Sequence, residues 1–130
     1  MIVLVDYNLN RQALLLSGGI AAGGWLDIAA IRLVTFGEIG LAADSNDRVV
    51  WQFAQENQML LLTGNRNAKG EDSLDRVMRE ENKPTSLPII TIGSPERISE
   101  YDYRESCVER LVEIVVDIQN YMGAGRLFIP

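Results

Sequence analysis

Two polar segments, each following an aliphatic run, hold the residues best suited to chemistry. Ile2-Val3-Leu4-Val5 leads into Asp6, and Met59-Leu60-Leu61-Leu62 leads into Thr63-Gly64-Asn65-Arg66-Asn67. A third segment, Asp44-Ser45-Asn46-Asp47, opens an amphipathic stretch. Carboxylate and amide oxygens are ligands for a hard divalent cation. The same residues also have plain structural uses. Asp6 could cap a helix or fix a turn. Asp47 suits the positive first turn of a helix, and Asn65 and Asn67 suit a turn beside Gly64.

Composition narrows the chemistry further. The chain has 130 residues and no histidine. Ser-His and Cys-His catalysis, imidazole acid–base steps and histidine-rich zinc sites are therefore excluded. Cys107 is the only cysteine. It can form no internal disulfide, and its apolar helical surroundings suit a small core residue. Any hydrolysis must rest on carboxylates, with a hard divalent cation. The net charge of −6 argues against indiscriminate binding to phosphate backbones. An acidic metal site can still coexist with a basic rim, for which Arg11, Arg48 and Arg66 are candidates.

The surrounding elements decide where these residues meet. Strands are expected at 2–5, 31–36, 59–62 and 88–92, with an edge strand at 126–129. A first helix through 11–16 should end or weaken at Ser17-Gly18-Gly19, after which Trp25 and Leu26 dock on the core. Residues 37–43 read as a loop. The helix from Asp47 places Val49, Val50, Phe53 and Ala54 on one face. A short helix over 72–79 should end near Asn82, before Pro84. The longest helix, 103–122, carries an apolar stripe of Cys107, Leu111, Ile114, Val115, Ile118 and Met122. Alternating strands and helices imply one α/β domain over residues 1–130. It is a three-layer α/β/α sandwich with a mostly parallel central sheet and right-handed crossovers. Asp6 and Asn65 then meet at the carboxyl edge of the sheet, where open α/β sheets bind ligands. Apolar runs are strand-length and signal-peptide features are absent, so a cytoplasmic protein with no membrane partner is expected. Gly18-Gly19 and Gly23-Gly24 do not directly follow a strand and form no phosphate loop.

Four pieces in order carry a family resemblance over roughly the first half of the chain. They are Asp6-Tyr7-Asn8-Leu9 after the opening strand, Gly40-Leu41-Ala42, the helix from Asp47 to Ala54, and the strand ending in Thr63-Gly64-Asn65-Arg66-Asn67. Together they resemble the short PIN-like nuclease domains related to the ribonucleases of toxin–antitoxin pairs. The resemblance implies a PIN-like fold, Mg²⁺ or Mn²⁺ held by clustered carboxylates, RNA as substrate and a small antitoxin-like protein as partner. Asp6 and Asp47 match two of the catalytic, metal-holding acids. Asn65 and Asn67 stand where the pattern Thr-x-Asp-x-Asp has acids, and an amide brings no charge. Asn65 could remain a weaker ligand. Glu71, Asp72 or Asp75 could supply a further carboxylate, as could Glu38 or Asp44. The expected metal set is thus Asp6, Asp47, Asn65 and Asp72, with Asn8, Arg66, Asn67 and Lys69 toward substrate. Arg66 and Lys69 could equally pair with nearby acids. Tyr7 and Trp51 could stack on bases, although Trp51 suits the core of its helix.

Two other readings stay open. One is a non-catalytic PIN-like protein- or RNA-binding module. The other is a flavodoxin-like domain of the response-regulator kind, which would need a lysine where the fourth strand ends in Ile92-Gly93-Ser94. A homodimer could form through the C-terminal helix and the glycine-rich segment.

Overall fold

The computed structural model describes residues 1–64 and 73–130. Its strands are β1 (Ile2–Val5), β2 (Arg32–Val34), β3 (Leu60–Thr63), β4 (Ile89–Ile92) and β5 (Arg126–Ile129). They form one sheet in the order β2-β1-β3-β4-β5, and every neighbouring pair is parallel. The three central strands are apolar at nearly every position because helices cover both faces. Val3, Leu60, Leu62, Ile90 and Ile92 face one layer, and Leu4, Leu61 and Ile89 face the other.

The helices are α1 (Asn10–Ala22), α2 (Phe36–Ile39), α3 (Asp47–Glu56), α4 (Leu74–Glu81) and α5 (Tyr101–Val116). The first core layer takes Ala13, Leu16 and Ile20 of α1 and Cys107, Val108 and Leu111 of α5. The second takes Phe36, Val50, Trp51 and Ala54, with Leu74 and Val77 of α4. The fold is thus an α/β/α sandwich with a parallel central sheet.

One crossover departs from the expected hand. The β1–α1–β2, β2–α3–β3 and β3–α4–β4 connections share one hand. Each step across the sheet pairs with the matching helix layer. The β4–α5–β5 connection steps away from β1 yet carries its helix on the α1 face, so its hand is opposite. The right-handed rule reflects strand twist fed into one crossover at a time. Here α5 instead gains a partner in α1, and the two helices bury one shared apolar layer.

That packing also explains why α1 runs straight through Ser17-Gly18-Gly19 rather than ending there. A Cβ on Gly19 would lie 3.2 Å from Val108 Cγ2. The missing side chain lets α1 and α5 approach closely, and the contact outweighs the roughly 1 kcal/mol helix cost of glycine. Gly19 of the glycine segment thus packs against Val108 of α5 within the chain.

Other local differences have simple causes. Residues 36–39 form a helical turn instead of loop, because Thr35 and Glu38 make a capping box. Val49 is 45% exposed, while Trp51 is buried on the core face of α3. Leu26 is exposed, whereas Trp25 packs partly on the core. The C-terminal helix ends at Val116, followed by a 3-10 turn over Ile118–Asn120. Cys107 is fully buried, and burial pushes its thiol up to about 11. Among the described residues, no helix is long and apolar enough to cross a membrane.

Candidate functional site

Strand order sets the location. From β1 the chain steps one way to β2 and then back past β1 to β3. Helices α1 and α3 consequently leave toward opposite faces. A crevice opens beyond the carboxyl ends of β1 and β3, where doubly wound sheets bind ligands. In this protein it is a cleft of about 440 Å³. That volume lies in the range of small-molecule sites, roughly 300–1,000 Å³.

Asp6 enters the cleft from the end of β1. Its backbone N–H still donates to Leu62 O at 2.9 Å, which extends the ladder one residue past the strand. Its carbonyl accepts from Leu9 N–H at 2.8 Å and closes a 3-10 turn over Tyr7–Leu9. The backbone alone makes that turn, and the carboxylate caps no helix. Instead Oδ2 accepts from the Thr63 hydroxyl at 3.0 Å, joining the ends of β1 and β3.

Asp47 reaches the same cleft from the first turn of α3. The cap of α3 is Asn46, whose side chain accepts from Val49 N–H at 2.9 Å. Asp47 is therefore not spent on capping its own helix. Its Oδ2 accepts from Leu74 N–H at 3.1 Å, in the first turn of α4. Two helix starts thus bring partial positive charge beside one carboxylate. The structural use anticipated for Asp47, in the positive first turn of α3, is met, and the carboxylate also caps the start of α4.

The cleft floor is set by Gly64. A Cβ there would fall 2.6 Å from Pro95 Cγ, so any larger residue must displace Pro95 or the local backbone. Asn8, Gln12 and Ser45 add neutral polar groups, and Tyr7 is a half-exposed aromatic wall. Gln12 and Ser45 were not anticipated as lining residues. Gln12 had a readable signal, because it lies four residues after Asn8 and so one turn further along. Ser45 had none, since its place depends on how the 40–46 loop folds back.

Several candidates go elsewhere. Glu38 is occupied by Thr35, whose N–H and hydroxyl both donate to Oε1 at 3.2 Å. Asp75 accepts from Arg126 Nη2 at 2.7 Å. Arg48 turns to α4, where it pairs with Glu80 at 2.9 Å and with Glu81, so it is no part of a cleft rim. Neither Asp44 nor Arg11 lines the cleft. Trp51 is a core residue. Asn65, Arg66, Asn67, Lys69, Glu71 and Asp72 lie outside the described residues. Among the described residues, no group of three or more acids and cysteines is placed to hold a metal ion. The structure thus brings Asp6, Asp47 and Asn8 together.

No family model, curated protein or solved structure matches this chain.

Proposed function

We propose that the cleft is a divalent-cation-dependent ribonuclease site of the PIN-like kind, with Asp6 and Asp47 as its acids. One observation carries the reading: two carboxylates from separate elements line a single polar cleft at the reversal of strand order. The donor set fits Mg²⁺ or Mn²⁺. Magnesium is commonly held by one or two carboxylates, with water and substrate phosphate completing the shell. The described lining contains no lysine or arginine to offset two carboxylates against a phosphate. A cation held by the two acids would offset their charge toward an anionic substrate.

A bound cation would supply charge neutralisation at the scissile phosphate and a more acidic water. The chain's own groups do the rest. Thr63 holds the Asp6 carboxylate in one orientation, and Leu74 N–H does the same for Asp47. Such outer hydrogen bonds restrict the ligand carboxylates before anything binds.

The direct test is cleavage of single-stranded RNA with Mn²⁺, comparing the natural chain with Asp6→Asn. The natural chain should cut and the variant should fall to background. Uncut RNA, or equal cutting by both, overturns the reading.

A second reading is a non-catalytic RNA-binding module. The hydrogen bonds already made by both carboxylates favour it, as do amides at positions 65 and 67. Changing Asn65 and Asn67 to Asp should then create Mn²⁺ binding that the natural chain lacks. Tight Mn²⁺ binding by the natural chain rejects this alternative.

A further inference from the structure

The geometry points to a nucleobase subsite in the same cleft, with Tyr7 as stacking platform and the Asn8 and Gln12 amides reading the base edge. This inference deepens the reading of the cleft as an RNA site and names what part of the RNA is recognised.

Three observations carry it. Tyr7 is 48% exposed although it lines a cleft and follows a buried strand. Its ring contacts that of Phe36, which is 2% exposed, at 6.3 Å between centroids and a 46° tilt. An aromatic already in such contact loses little freedom when a flat ligand stacks on it. Asn8 and Gln12 line the cleft beside it, and carboxamides both donate and accept, as base edges require.

Among the described lining residues, the groups present suit a base better than a phosphate. The described lining carries two carboxylates and no cation from the protein. Recognition by phosphate contacts would need lysine or arginine and would fall steeply with salt. Stacking and amide contacts need neither. Base–aromatic stacking contributes enough to matter, and it works on single strands, whose bases are unpaired.

The test is equilibrium binding of a fluorescein-labelled adenosine RNA hexamer to the full chain in EDTA, so that cleavage and metal play no part. Tyr7→Ala should weaken binding by about 5- to 150-fold, and Tyr7→Phe should stay within about threefold of the natural chain. A hexamer with abasic sites should bind the natural chain as weakly as the intact hexamer binds Tyr7→Ala. This ligand-side change keeps the test valid even if Tyr7→Ala perturbs folding. Asn8→Ala and Gln12→Ala should each lose affinity for the intact hexamer but not for the abasic one. The subsite is overturned if the abasic and intact hexamers bind equally, or if the natural chain binds neither. Cleavage with Mn²⁺ is scored separately, so a binding chain that never cuts RNA sinks the nuclease reading and leaves the subsite standing.

Discussion

Two polar clusters lie side by side on the sheet face covered by α3 and α4. At β1 and β3, the Thr63 hydroxyl donates to Asp6 in an open cleft. At β4 and β5, Arg126 donates to the Thr91 hydroxyl at 2.6 Å and to Asp75 at 2.7 Å. Thr63 and Thr91 are register partners, so the clusters are neighbours across one strand pair. They nevertheless hold an aspartate for different ends. The Arg126 side chain is only 8% exposed, and that of Asp75 30%. There a carboxylate balances a guanidinium taken out of water, and its charge is already matched. Asp6 accepts from a neutral hydroxyl and faces an open cleft. The contrast separates an acid that stabilises the fold from one suited to binding.

The largest effect should come from breaking the buried pair. Asp75→Ala leaves Arg126 without that counter-charge, which should cost about 3 kcal/mol, toward the low end for buried pairs because Asp75 keeps some solvent contact. Urea denaturation measures it. A loss below about 1 kcal/mol would remove the distinction between the clusters. Next in size is Gly64→Ala. Its added methyl must displace Pro95, and overpacking of this kind costs about 1–3 kcal/mol. It should also deform the cleft, seen as changed amide chemical shifts at Asp6 and Asn8. The smallest effect is Asp6→Asn, which keeps an oxygen for Thr63 and should change stability by less than about 1 kcal/mol. A larger loss would make Asp6 a structural acid like Asp75.

The sheet was readable because its central strands are short apolar runs bounded by polar segments, a pattern that burial on both faces requires. Asp6 was readable because parallel strands put their ends on one edge, and Asp47 because a helix following a parallel strand starts near that edge. The continuation of α1 was not, because Gly19 acts through Val108, a residue distant in the chain. The hand of the last crossover likewise follows from α1–α5 packing, which leaves no local mark. Nor did any local pattern tie Asp75 to Arg126, which come from different elements. Asp75 consequently read as a spare ligand, although a strand on the far edge already holds it.

The shared use of Asp6 and Asp47 is best tested by titrating Mn²⁺ into the natural chain, Asp6→Asn and Asp47→Asn, with free Mn²⁺ followed by electron paramagnetic resonance. Both substitutions keep an oxygen acceptor for Thr63 or for Leu74 N–H, so the fold should persist. The natural chain should bind Mn²⁺ at one site, and each variant should lose that binding. Binding that survives both substitutions unchanged, or its absence from the natural chain, would contradict a cation site shared by the two acids.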